Sequence, residues 1–291
     1  MLNPKTYYYV HTGHRIGLDR FRRACTIIRL LKGVDITLLC SDYRIAQIAH
    51  EFGVEKAVGV DVVRNIPQIA NHGDRLIFDS QEANPIMLED MRNYFSKFVR
   101  IGDSPSDKKE DGEFLISPYL QGDGILNSLV IDDKYFDNKE KTIDISFFFG
   151  DDDYDKQLEK NLSLLDGVDA DLLLGFYYFF DYEDMLKERF KRHYELEDYD
   201  DVIQKSKILI TSSHQAALEN LASGGKPIFI QRRDYPEDFL EIFKKLNIPI
   251  VQNYQNSQLL TILKAHKMRE YYKVEHNNEK LIGFLKSSLN L

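Results

Sequence analysis

Short apolar runs alternate with amphipathic stretches along this chain, the pattern of strands feeding helices. Thr6 to Val10 reads as a strand, rich in aromatic and β-branched residues. Phe21, Ala24, Ile28 and Leu31 then fall on one helical face, which Gly33 ends. Asp35 to Cys40 is the second strand, Tyr43 to Phe52 a helix closed by Gly53, and Ala57 to Val60 a strand. Ile66 to Ala70 reads as helical. Arg75 to Phe78 is a strand with Asp79 at its tip, Met87 to Phe95 a helix, and Phe98 to Ile101 a strand leading to Asp103. Ser104 to Gly112 is a polar surface loop before the strand Phe114 to Ser117.

The pattern loosens from Gly122 to Lys141 and then restarts, so Asp132 to Lys141 is the expected linker between domains 1–131 and 142–291. Strands follow at Ile143 to Phe149, Leu172 to Phe176, Ile208 to Thr211, Pro227 to Ile230 and Ile248 to Val251. Helices are expected at Asp155 to Leu165, Glu183 to His193, Asp200 to Ser206, His214 to Ala222 and Phe239 to Leu246, with a helical remainder. Glu195 to Asp201 reads as a solvated acidic loop, and the segment from Glu270 is expected to cross back to the first domain. Such alternation implies parallel sheets covered by helices: an α/β protein of two Rossmann-like domains facing across a cleft.

Composition narrows the function. The 291 residues carry 38 basic and 47 acidic side chains, a net charge of −9 that argues against a nucleic-acid binder. The longest apolar run, Leu172 to Phe180, is far short of the roughly 20 residues that span a bilayer, so no transmembrane segment is expected. The N-terminus lacks the features of a signal peptide, and the two cysteines, Cys25 and Cys40, read as buried free thiols. Cytoplasm is the expected compartment.

In open α/β sheets, ligands bind beyond the carboxyl ends of the strands, against helix N-termini. Three loops there carry chemistry. The first, His11 to Arg20, offers His14 for proton transfer and Arg15, Asp19 and Arg20 for charge, or else is a solvated turn with Asp19 as helix cap. It is neither a dinucleotide fingerprint nor a P-loop. Arg22, Arg23 and Arg29 read as a solvated helix face. The second loop is Gly150-Asp151-Asp152-Asp153. Its glycine suits a phosphate, whereas three carboxylates repel a diphosphate unless a cation intervenes. Helix capping and dipole compensation by Asp153 and Asp155 is the favoured reading. No second cluster at ligand spacing accompanies it, and neither a metal nor a cofactor is expected. In the third loop, Ser212 and Ser213 cap the helix that begins at His214, and Glu219 lies within reach of a ribose diol. A serine nucleophile is disfavoured, for no nucleophile elbow is present. Tyr177 or Tyr178 could stack on a base, although core packing is the expectation for most of the aromatic clusters, Phe147 to Phe149 above all.

The run Ser212-Ser213-His214-Gln215-Ala216-Ala217-Leu218-Glu219, with Ala222-Ser223-Gly224-Gly225-Lys226-Pro227 leading into a strand, resembles GT-B-fold nucleotide-sugar proteins. The nearer likeness is to the UDP-sugar hydrolases of pseudaminic acid synthesis, relatives of MurG-type glycosyltransferases. It extends over Ile16-Gly17, Asp79, Asp103, Gly150 to Asp153 and Tyr199 to Pro227. The resemblance implies a GT-B-like fold and a nucleotide-sugar ligand. It also implies a first-loop histidine assisting attack at the anomeric carbon, and nucleotide contacts from Gly150, Ser212, Ser213, His214 and Glu219. The family pattern Ile-Gly-x-Gly-His-x-x-Arg aligns with Ile16-Gly17-Leu18-Asp19-Arg20-Phe21-Arg22-Arg23. Arg23 matches, while Asp19 and Arg20 replace the glycine and histidine. Arginine cannot be a general base at neutral pH. An alternative register puts Gly13-His14 on the Gly-His of the pattern, losing the Ile-Gly match and shifting the helix, and it makes His14 the candidate base. Three readings stay open: a UDP-sugar hydrolase-like or transferase-like enzyme of surface-glycan biosynthesis using His14, an inactive binding or regulatory protein, and a transferase in which Arg20 clamps a diphosphate or acidic acceptor.

Overall fold

The computed structural model describes residues 3–82, 84–178 and 180–291. The chain divides into two compact units. Unit 1 comprises Met1–Val130 with Asn277–Leu291, and unit 2 is Ile131–His276.

Unit 1 is built on a seven-stranded parallel sheet. Its strands are β1 (Thr6–Val10), β2 (Ile36–Cys40), β3 (Ala57–Gly59), β4 (Arg75–Asp79), β5 (Lys97–Ile101), β6 (Phe114–Ser117) and β7 (Ile125–Asn127), in spatial order 3-2-1-4-5-6-7. Every residue of β1 is buried, because helices cover both faces of a parallel sheet. Tyr7 and Tyr9 enter one apolar cluster with Leu39, Leu76, Phe78 and Phe98. Tyr8 points to the opposite face, as the two-residue period of a strand requires. Helices α1 (Asp19–Leu30), α2 (Tyr43–Ile48) and α3 (Pro85–Tyr94) alternate with the strands. Ile66 to Ala70 falls largely within a 3-10 helix, Val63–Gln68, that contains Pro67. The loop at 104–112 is pinned at its base by Arg100, which bonds Glu113, Asp107 and the Lys108 carbonyl.

Unit 2 repeats the plan with β8 (Ile143–Phe148), β9 (Asp171–Leu173), β10 (His193–Tyr194), β11 (Ser206–Thr211), β12 (Lys226–Ile230) and β13 (Ile250–Val251). The order is 10-9-8-11-12-13, again all parallel. Helices α4 (Gln157–Lys160), α5 (Phe180–Arg189), α6 (Tyr199–Lys205), α7 (His214–Ala222), α8 (Leu240–Lys245) and α9 (Asn256–Ala265) connect them. The last helix, α10 (Asn278–Leu289), belongs to unit 1. Its Leu281, Leu285 and Leu289 form a fully buried stripe, and Phe284 meets Phe114 edge-on at 6.2 Å.

Several sequence expectations need correction. His193 is not helical: α5 ends at Arg189, and His193 pairs with Leu172 as an edge strand. The chain after β13 is not helical throughout, since no regular element lies between α9 and α10. The acidic residues of 195–201 are exposed, as expected, but the stretch is not a loop: it is a 3-10 turn, Leu196–Asp198, running into α6, with Glu195 and Asp198 as a reciprocal cap. Residues 132–141 lie in unit 2 and include a 3-10 helix, Asp133–Phe136, whose Tyr135 is buried and donates to Asp200. Arg22 and Arg23 are buried rather than solvated, and Arg29 donates to the Phe52 carbonyl at 2.8 Å. Cys25 and Cys40 are, by contrast, buried and outside any disulfide, as expected. In the apolar run Leu172 to Phe180, Phe179 lies outside the described residues.

Candidate functional site

Both sheets contain the 3-2-1-4 arrangement, so each unit has a topological switch beside its central strand. In unit 1 the switch lies between β1 and β4, where the first loop leaves the sheet. That loop is stitched to itself. Gly17 adopts φ +76°, its N–H donates to the Gly13 carbonyl at 2.9 Å, and Thr12 Oγ1 donates to the Gly17 carbonyl at 2.8 Å. Asp19 is not the cap of α1. Leu18 holds that position, and Asp19 opens the first turn, where its charge complements the helix dipole.

Arg20 and Arg23 leave α1 toward the tips of β4 and β5. Arg23 bonds Asp79 with Nε at 2.9 Å and Nη2 at 2.6 Å, and reaches Asp103 with Nη1 at 2.6 Å. Arg20 bonds Asp103 at 2.9 Å and lies 3.5 Å from Asp79, while Tyr8 donates to Asp79 at 3.0 Å. Two guanidinium groups and two carboxylates thus neutralise one another. Flanking carboxylates hold Arg23 even more firmly protonated than an ordinary arginine, against the penalty of burial.

Two histidines stand on the same loop. His14 is half-buried, and burial together with Arg44 and Arg15 lowers its pKa despite Asp42. His11 is lowered too, chiefly by burial and secondarily by Arg20, while Glu82 and Asp79 oppose the shift. Its Nε2 lies 3.8 Å from Glu82, whose same oxygen accepts from Tyr9. Both imidazoles are therefore neutral at pH 7, the state a proton acceptor needs.

In unit 2 the switch lies between β8 and β11. Gly150 sits there at φ +126°, and a Cβ on Gly175 would stand 2.3 Å from the Gly150 carbonyl oxygen. The β8 and β9 loops therefore touch through a glycine. The three carboxylates that follow are buried. Asp153 accepts from the N–H groups of Gln157 at 2.6 Å and Leu158 at 2.8 Å, and from the Tyr182 hydroxyl. It is a helix-capping carboxylate. Asp152 accepts from the Tyr235 hydroxyl and lies 3.7 Å from Arg232; burial outweighs both and raises its pKa to about 6.

Ser213 is the N-cap of α7, its Oγ accepting from Ala216 N at 3.0 Å. Ser212, one residue earlier and 1 % exposed, donates its N–H to the Phe148 carbonyl, while its hydroxyl has no hydrogen-bond partner. His214 packs within aromatic rings, stacked on Phe239 at 4.5 Å and Phe229 at 5.2 Å. Glu219 is buried, its oxygens accepting from Tyr199 and Gln215, both at 2.9 Å. Tyr177 and Tyr178 are also buried, Tyr178 packing edge-on against Tyr182.

Sequence reasoning passed over Arg232. It is almost wholly buried just past β12, donates to the Asp152 carbonyl at 2.6 Å, and pairs with Asp234. The available signal was its place: a charged residue immediately beyond an apolar strand. His11 and Glu82 were missed for want of any local motif.

No family model matches the chain, and no curated protein matches it in sequence. Solved structures match over nearly its whole length. The S. aureus MnaA–UDP co-structure aligns at a TM-score of 0.62 and 11 % identity, covering 99 % of this chain and 97 % of that one. The Methanocaldococcus jannaschii UDP-GlcNAc 2-epimerase in complex with UDP-GlcNAc and UDP aligns at 0.60 and 11 %, covering 97 % and 99 %. The glycosyltransferase SnogD from Streptomyces nogalater aligns at 0.53 and 13 %, covering 96 % and 99 %. The fold is accordingly GT-B-like, with two parallel sheets of seven and six strands, and is shared with nucleotide-sugar-processing enzymes. Among the described residues, no helix is long and apolar enough to cross a membrane.

Proposed function

We propose that this chain processes a UDP-linked sugar at its anomeric carbon, as a hydrolase-like or glycosyltransferase-like enzyme of surface-glycan biosynthesis. In this reading unit 2 holds the nucleotide. The observation that carries it is Ser212: a buried hydroxyl with no partner, at the N-terminus of α7, beside the switch between β8 and β11. An unsatisfied buried hydroxyl costs about 1–3 kcal/mol, and a phosphate oxygen at the helix N-terminus would recover that cost. Gly150 leaves room for it on the neighbouring loop, and Ser213 fixes the first turn of α7. His214 supports that turn by packing on its aromatic neighbours. A ribose would reach Glu219 by taking over the hydrogen bonds of Tyr199 or Gln215.

Unit 1 supplies the acid–base chemistry in this proposal, with neutral His14 accepting the proton of water or of an acceptor hydroxyl. Asp19 contributes its charge to the first turn of α1. Arg20 is committed to Asp79 and Asp103, which speaks against its use as a diphosphate clamp. That closed ion network favours a second reading, a protein that binds the nucleotide sugar without turning it over.

Phosphorus NMR on a panel of UDP-amino sugars incubated with the protein tests the proposal. Release of UDP, abolished by His14→Ala, is the expected result. Bound UDP-sugar that stays intact selects the binding protein, and no binding of any member contradicts both.

A further inference from the structure

We infer that Arg232 is the phosphate-binding cation of unit 2, and that the carboxylate of Asp234 occupies the phosphate's seat on it when no ligand is bound. The inference rests on the proposal that unit 2 takes a nucleotide.

Arg232 is 1 % exposed, a burial a guanidinium tolerates only with its charge and its donors answered. Two kinds of contact answer them. One is framework: Nη1 donates 2.6 Å to the Asp152 main-chain carbonyl, and the guanidinium lies over the Tyr235 ring at 4.1 Å and the Phe149 ring at 4.8 Å. The other is exchangeable. Nε and Nη2 hold the two oxygens of Asp234 at 3.0 and 2.5 Å. This two-point fork is the geometry in which arginine also holds a phosphate. The partners are unequal: the Asp234 side chain retains 25 % of its exposure, so it can swing into water while Arg232 stays fixed.

The position suits the ligand. A Cβ on Gly150 would lie 3.7 Å from Arg232 Nη1, which sets the guanidinium beside the glycine of the β8 loop. β12 also pairs directly with β11, whose end carries Ser212. Asp153, the third carboxylate of that loop, is consumed by α4, so it competes little for the same cation. A phosphate that displaces Asp234 inherits a preformed donor pair, and affinity is reduced by what the carboxylate already gains there.

Calorimetric titration of UDP, and separately of inorganic pyrophosphate, into the wild type, Asp234→Asn and Asp155→Asn tests this. Asp155 is an exposed residue preceding α4, so its substitution makes the same charge change without touching Arg232. Asp234→Asn is expected to tighten UDP at least fivefold, and Asp155→Asn less than twofold. Arg232→Lys, which keeps the charge but loses the fork, should weaken UDP at least tenfold. If it does not fold, the two aspartate variants decide. Equal effects of the two aspartate variants overturn the inference while the nucleotide reading stands. Tight pyrophosphate binding by Asp234→Asn with no nucleotide binding by any protein upholds the inference and overturns the reading. No binding of either ligand to any variant overturns both.

Discussion

Arg23 on α1 and Asp79 at the tip of β4 form a two-point ion pair across unit 1, with contacts of 2.9 and 2.6 Å in a buried setting. Removing one partner of such a pair strands the other, at a cost of about 3–5 kcal/mol. Asp79→Ala should therefore lower unfolding stability in urea by about 3 kcal/mol or more. The exposed pair Lys56–Asp35, at a similar 2.7 Å, is the comparison. Asp35→Asn should cost less than about 1 kcal/mol. Equal losses would mean that burial does not set the strength of the Arg23–Asp79 contact.

Asp152 gives the folded state a distinctive pH dependence. Its pKa rises from 3.8 to about 6 on folding, so between pH 4 and 6 the folded chain binds more protons than the unfolded one. Its contribution to stability is greatest below pH 4 and is lost as pH rises through 6, by up to about 3 kcal/mol at about 1.4 kcal/mol per unit. Asp152→Asn should remove that fall. Urea midpoints for both proteins from pH 4 to 7.5 read the difference directly, and parallel profiles would contradict the assignment.

The histidines of the first loop titrate in the opposite sense. Burial holds His11 below the ordinary histidine range, and Glu82 pulls it partway back. Glu82→Gln should therefore lower the His11 pKa further and leave His14, whose neighbours are Arg44, Asp42 and Arg15, unmoved. Proton NMR titration of the imidazole ring signals is the measurement. An unchanged His11 pKa would show that Glu82 does not act on it, and a rise would contradict the sign of its effect.

Two glycines should respond with opposite signs. A Cβ at Gly175 meets backbone, 2.3 Å from the Gly150 carbonyl oxygen and 2.9 Å from Asp151 Cα, so Gly175→Ala must move one of the two loops. We expect a loss of about 1–3 kcal/mol. Gly283, in the middle of α10, has nothing within 4 Å of its Cβ position. Gly283→Ala should stabilise by about 0.5–1 kcal/mol, the helix-propensity difference. Thermal unfolding of both variants separates steric from conformational effects.

The elements legible in the sequence were those whose pattern is carried by long apolar faces or sharp stops. β1 and α7 fall where alternation and the Ser213 cap put them, and Gly53 closes the turn after α2 at φ +79°. β7 and β10 were not legible: no amphipathic helix precedes β7, and two residues of edge strand carry no period. Charge was the larger failure. Arg22 and Arg23 look like a polar helix face in one dimension, and only the distant Asp79 and Asp103 explain why Arg23 is buried. The same holds for Arg232 with Asp152, since ion pairs between loops of different strands leave no local spacing to read, although Asp234 lies only two residues along the same loop. The capping role of Asp153 was legible because its partners lie one helical turn away.

The most direct test of the account is a calorimetric titration of UDP into the wild type and Ser212→Ala. We predict saturable one-to-one binding to the wild type, weakened about tenfold by loss of the single hydroxyl, while the unliganded variant unfolds no lower than the wild type because the unsatisfied hydroxyl is gone. Absence of UDP binding, or binding indifferent to Ser212, would contradict the assignment of unit 2 as the nucleotide-holding half.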